Sequence, residues 1–247
     1  MEFDLLPFIA VGFAAQLVDG ALGMAFGVIS TTLLVTLGVP PAAASAGVHT
    51  VETATTAVSG ISHVYHGNVD WRLFWRIALP GMLGAVLGAT VLTSIDASVA
   101  KPIVLAYLLV IGLIILWRGL RQTHREARPK VIVPLGLLGG FLDSAGGGGW
   151  GPIVTSNLIM QGATPRRTIG TVNAAEFFVT LSAASAFLYS LGWEVLTQAT
   201  LGLMIGGVAA APLGAWLVKR VSVQPLLIAV GALLILTSGY GIFRALS

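Results

Sequence analysis

Two stretches decide the fold: Asp143-Ser-Ala-Gly-Gly-Gly-Gly-Trp-Gly151, and its counterpart Gln16-Leu-Val-Asp-Gly-Ala-Leu-Gly-Met24. Each lies in the middle of an apolar segment, 131–161 and 5–37. Glycine is the poorest helix former after proline, so four in succession end a helix. As one straight helix, 5–37 would be about 50 Å long at 1.5 Å per residue, against a hydrocarbon core of about 30 Å. Both segments are therefore expected to be broken, as two half-helices meeting at a glycine turn.

The two stretches are copies. Asp19 and Asp143 are 124 residues apart, and the same offset pairs Gly12 with Gly136, Gly23 with Gly147 and Gly27 with Gly151. It continues through Thr31 and Thr155, Gly38 and Gly162, Pro41 and Pro165, and Glu52 and Glu176. Further on the register drifts, with Gly88 aligning best with Gly214 and Pro102 with Pro225. The chain divides into repeats 1–117 and 131–247, joined by a polar, basic linker, 118–130.

Around the broken segments lie six more apolar stretches, 42–65, 73–94, 101–117, 168–190, 195–217 and 223–244. The 247 residues are 56% hydrophobic and only 9% charged, with a mean hydropathy of +0.92. A soluble domain carries roughly 25% charged residues, so cytosolic enzymes, nucleic-acid binders and disordered chains are excluded. The reading is a multi-pass, all-α membrane protein. The pI of 9.6 reflects a net charge of only +3. Cysteine is absent, which removes disulfides and thiol chemistry. Met1-Glu-Phe-Asp4 lacks a basic n-region, so the first apolar stretch is expected to stay in the protein.

Lys and Arg favour the cytoplasmic side of a membrane. If 5–37 and 131–161 each cross once, the 13 basic residues split 8 inside and 5 outside. If each is a re-entrant hairpin, 11 fall inside, and only Lys101 and Arg244 outside. The hairpin reading leaves three crossings per repeat, an odd number, so the repeats are inverted. Hairpin one enters from outside, hairpin two from the cytoplasm, and both termini face outward.

The chemistry is expected at the hairpin tips and beside them. Half-helix N-termini aim backbone amides and a positive dipole end at the bilayer centre, which suits an anion. The candidate binding residues are Gln16, Asp19, Gly20 and Gly23 in repeat one. In repeat two they are Asp143, Ser144, Gly146, Gly147, Gly148, Gly149 and Trp150. The alternative is a tight turn in which each Asp only caps the second arm. Segment two carries His49 and Glu52; segment six carries Thr171, Asn173 and Glu176. Acids at mid-depth are costly and functional by default. Glu52 and Glu176 are read as proton-coupling groups and His49, Thr171 and Asn173 as substrate contacts. The bland alternative is a local hydrogen bond, Glu52 to His49 and Glu176 to Asn173. Ionised glutamates would repel an anion, so coupling requires them to be neutral when it binds.

These hairpins, their Gly-x-x-Pro turns and the segment Gly170-Thr-Val-Asn-x-x-Glu176 resemble the sulfite exporter TauE/SafE family over about residues 5–245. The resemblance implies a bacterial-type inner-membrane transporter of sulfite or small organosulfur anions, with two inverted repeats. Repeat one departs from the glycine-rich form, with Leu22, Met24 and Ala25 in place of Gly146, Gly148 and Gly149. The leading expectation is a secondary transporter working by alternating access, one repeat rocking against the other. The runner-up is a cation transporter or channel using Glu52, Glu176 and His49. Nucleotide-binding, metalloprotease and nucleophile-elbow motifs are absent, so no enzyme is expected. The expected partners are a small anion (sulfite or a sulfonate), the lipid bilayer and, as an open option, further copies of the chain forming a homo-oligomer. No cofactor, metal or nucleic acid is expected.

Overall fold

The computed structural model describes residues 5–120, 129–217 and 223–246. The linker residues 121–128, and Lys219 and Arg220, lie outside the described residues. The described chain is all helical. The first half contains α1 Leu5–Leu22, α2 Phe26–Thr36, α3 Pro41–Tyr65, α4 Trp71–Ser94 and α5 Ala97–Leu120. The second contains α6 Val133–Gly146, a π-helical turn Gly151–Thr155 running into α7 Ser156–Met160, then α8 Pro165–Leu191, α9 Gln198–Leu217 and α10 Val223–Leu246.

Local chemistry sets the boundaries. Pro41 and Pro165 open α3 and α8, where a missing N–H costs nothing. Asp70 caps α4, its Oδ1 accepting the amides of Arg72 and Leu73 at 3.0 and 3.1 Å. The breaks fall at the glycine tips: α1 ends before Gly23 (φ 65°) and α6 before Gly147 (φ 75°). A left-handed residue at that position stops a helix at little cost when it is glycine.

The 131–161 segment returns to the end it starts from. Lys130 and Val131 donate their amides to Gln161 Oε1 at 2.9 and 3.0 Å, and Gln161 Nε2 donates to the Val131 carbonyl at 3.1 Å. Arg166 Nε donates to Asn68 Oδ1 at 2.8 Å, which brings the α3–α4 turn to the same end. Arg72, Arg76 and Arg167 line one cavity there. α4 and α6 start together and run side by side: Gly136 lies against Ile77, Gly140 against Gly81, and Gly88 against Phe141. α1 and α9 do the same from the opposite end, Gly202 against Leu5 and Phe8, and Gly206 against Ile9 and Phe13.

The two halves interleave. α1 packs on α9, α4 on α6, α3 on α8, and α5 on α10. Glycines at these crossings bring backbones close, which is how helices associate where lipid competes for apolar surface. α4, α5 and α8 are each long and apolar enough to span a bilayer. Leu79, Leu83, Ile103, Leu113 and Leu138 point outward and exposed. α3 is less apolar because it is interior: Ser45, His49, Glu52, Thr55, Thr56 and Ser59 are all buried. The protein is a multi-pass membrane protein.

Candidate functional site

The two breaks lie back to back. Gly151 seats on Gly23 and Met24, and a Cβ at Gly148 would sit 2.6 Å from the Gly27 carbonyl carbon. Thr155 Oγ1 donates to the Gly23 carbonyl at 3.4 Å, while the Thr31 methyl covers Gly147. Thr31 and Thr155 occupy matching positions, so each hairpin covers the other's elbow with the same residue.

Each break is closed by its aspartate. Gly23 donates to the Asp19 carbonyl at 2.6 Å and Gly148 to the Asp143 carbonyl at 2.7 Å. The side chains cap the second arms. Asp19 Oδ1 accepts the Phe26 amide at 3.3 Å, and Asp143 Oδ1 accepts the Trp150 amide at 2.8 Å. The Gly147 amide also goes to the Asp143 carbonyl. Three amides of the second tip are therefore committed to Asp143. The Gly149 amide has no protein acceptor among the described residues.

Asp143 makes a second contact. Its Oδ2 lies 3.1 Å from His49 Nε2, and both side chains are buried. His49 Nδ1 donates to the Ser45 carbonyl at 2.8 Å, and Ser45 Oγ donates to the Ser144 carbonyl at 3.0 Å. Both imidazole nitrogens face acceptors, which requires a proton on each, or one shared with Asp143. The arrangement is a buried ion pair joining α3 to the second tip. Removing one partner of such a pair costs about 3–5 kcal/mol.

Glu52 and Glu176 lie close by. Glu52 Oε1 sits against Gly27, 2.7 Å from where a Cβ would be. Glu176 is within electrostatic reach of Asp19, Glu52 and Asp143. Neither makes the local hydrogen bond the sequence allowed: His49 pairs with Asp143, and Asn173 Oδ1 has no partner. Among the described residues, Gln16 Oε1, Glu52 Oε2, the Ser144 hydroxyl, Asn173 Oδ1 and Glu176 Oε2 are buried without a hydrogen-bond partner. Native proteins rarely leave such atoms unpaired.

Other candidates have structural work. Trp150 is fully buried; its indole N–H donates to the Val172 carbonyl at 3.2 Å and its ring packs on Gly81 and Gly139. Thr171 stands apart, accepting the Asp70 amide at 2.8 Å and donating to the Arg167 carbonyl at 2.7 Å. Gly20 is buried in the last turn of α1. Gly146 and Gly149 both face the ring of Tyr107, whose hydroxyl is buried and unpartnered. The sequence reading missed Tyr107. It also missed Arg118, which reaches from the end of α5 to the Pro152 carbonyl at 3.3 Å.

Broken helices meeting inside a multi-pass helical protein, ringed by buried polar groups, define a membrane transporter. The profile of the sulfite exporter TauE/SafE family matches residues 8–241, and the chain belongs to that family. It is 43% identical over 243 residues to the probable membrane transporter protein YtnM of Bacillus subtilis, covering 95% of this chain and 81% of that protein. A probable membrane transporter protein of Haemophilus influenzae is 30% identical over 87% of this chain and 86% of its own length. One from Xylella fastidiosa is 26% identical over 95% and 92%. No solved structure matches the chain.

Proposed function

We propose that this protein is a secondary transporter that exports sulfite or small sulfonate anions by alternating access across a bacterial-type inner membrane. The observation that carries the reading is the pair of glycine breaks set back to back, with the buried Ser144 hydroxyl next to Asp143 left without a hydrogen-bond partner among the described residues. In this reading the anion enters between the breaks. There it meets the Gly149 amide, the polar side chains and the His49 edge. In this reading His49 offsets the charge of the Asp143 carboxylate beside the anion.

The two repeats, 1–117 and 131–247, are taken as inverted, with the basic end cytoplasmic and both termini outside. What supports this is that Gln161 returns to Val131 and that α1 and α6 start from opposite ends. Because the halves interleave, the moving units are helix pairs, α1 with α9 and α4 with α6, rather than whole repeats. Glu52 and Glu176 carry the coupling proton. Both are protonated while the anion sits near them, and protons released by either after the anion leaves couple its movement to the pH gradient.

The test is flux of sulfite and of short sulfonates in proteoliposomes under an imposed pH gradient. Saturable anion flux that responds to the gradient is expected. In the E52Q/E176Q variant, flux should persist down an anion gradient but lose its response to the pH gradient. An unchanged pH response in that variant overturns the coupling. Absence of any saturable anion flux in the unmodified protein overturns the substrate class. A cation transporter would instead lose all flux in E52Q/E176Q.

A further inference from the structure

At the basic end of the molecule, Arg72 and Arg76 of α4 and Arg167 at the start of α8 line one cavity of 510 Å³. Among the described residues, none of these three guanidiniums has an acidic partner. Asp70 also lines the cavity, and its Oδ1 accepts the first amides of α4. The rest of the lining is Thr164 and Thr168 beside the apolar Leu73, Pro129, Ile132 and Ala163. Three arginines without an acid partner, with hydroxyls and apolar side chains beside them, suit a phosphodiester attached to hydrocarbon.

The face of α4 below the cavity continues the pattern. Arg72, Arg76, Leu79, Leu83 and Leu87 follow each other at three- and four-residue spacing, so they form one stripe on the helix. The three leucines are 58%, 58% and 48% exposed. The stripe is cationic at the membrane surface and apolar along its depth, as a phospholipid is anionic at its head and apolar in its tails. Basic pockets between helix ends at the membrane surface hold anionic headgroups, at about 1 kcal/mol per Lys or Arg.

We propose that the cavity between the starts of α4 and α8 is a binding site for one anionic phospholipid. Its phosphate lies among Arg72, Arg76 and Arg167, and its acyl chains run along the Leu79–Leu83–Leu87 stripe. The Asp70 amide donates to Thr171 on α8, the helix that carries Asn173 and Glu176. An occupied site therefore fixes α4 against the helix that bears the candidate coupling acid.

The experiment is native mass spectrometry of the full-length protein in detergent, with phosphatidylglycerol or phosphatidylcholine added at equal concentration. Phosphatidylglycerol should be retained in preference. Each of R72Q, R76Q and R167Q should weaken its retention about fivefold, and the triple variant about 100-fold. R166Q, whose arginine is held by Asn68 outside the cavity, should change little. The single variants keep the test valid if the triple variant misfolds, since each is scored alongside its thermal unfolding. The proposal fails if the single variants with normal unfolding retain phosphatidylglycerol as the parent does. It fails if the parent shows no preference over phosphatidylcholine. It also fails if sulfite displaces the lipid as readily as a second phosphatidylglycerol does, since the cavity would then be a solute site.

Discussion

At the first break, the Asp19 carboxylate holds one amide, that of Phe26, at 3.3 Å. At the second, Asp143 holds the Trp150 amide at 2.8 Å and also pairs with His49. The position matching His49 is Asn173, whose carbonyl oxygen has no partner among the described residues. The backbones differ as well. The second tip places Gly147, Gly148 and Gly149 at φ of 75°, 131° and 149°, all open to glycine. The first tip asks Ala25 to stand at φ 122°, where an L-residue is strained by about 1–3 kcal/mol. One hairpin is thus fastened by charge on a relaxed turn. The other is held by a single cap on a strained one. The two breaks share their pattern and differ in how firmly they are set, so the first is the one suited to rearrange.

The largest test of that difference compares D143A with D19A. D19A removes a cap, worth about 1 kcal/mol. D143A removes a cap and strands a buried imidazole, adding about 3–5 kcal/mol. Thermal unfolding in detergent should therefore fall much further in D143A. H49N alone should also be costly, while H49N/D143N should recover part of the loss, because replacing both partners leaves no uncompensated charge. Equal losses in D19A and D143A would remove the distinction between the breaks.

The two breaks and the buried acids beside them were legible in the chain. The 124-residue offset, the break acids, the mid-depth glutamates and the spans carry local signals: glycine ends helices, charge is scarce, and polar spacing marks a face. The membrane class and the family followed from the same residues. The His49–Asp143 pair was not legible, because its partners lie 94 residues apart and only packing brings α3 to the second tip. Three-residue spacing allowed Glu52 as a neighbour of His49, yet each side chain finds its contact on a different hairpin. The four-glycine run reads as a helix break whose amides can meet an anion. Gly146 and Gly149 also leave room for Tyr107, which lies across them, and nothing in the run itself points to a phenol on α5. The interleaving of the halves is likewise a property of the assembled helices.

That packing gives the second test. Gly149 has φ 149° and faces the Tyr107 hydroxyl. G149A should destabilise by about 2–4 kcal/mol, from backbone strain and overpacking together. Y107F removes the atom nearest the new methyl, so G149A/Y107F should regain the overpacking share and keep the strain. If Y107F gives no recovery, the glycine is required by its backbone alone. The second tip would then differ from the first in conformation, and not through Tyr107.

The smallest effect is expected at Ala25, where opposing contributions nearly cancel. A25G releases about 1–3 kcal/mol of strain. It gives up a buried methyl, worth about 0.8 kcal/mol, and it adds unfolded-state freedom costing about 0.5–1 kcal/mol. The sum runs from about −1 to about +2 kcal/mol and centres on a stabilisation of about 0.5 kcal/mol, read as a small rise in thermal unfolding temperature in detergent. Glycine there would bring the first tip closer to the second, where Gly149 stands at the matching position. If the strain at Ala25 helps the first hairpin rearrange, A25G should slow anion flux while leaving the protein at least as stable. A loss of more than about 1 kcal/mol would mean that the methyl packing outweighs the strain. The first break would then be held as firmly as the second, by a different contact.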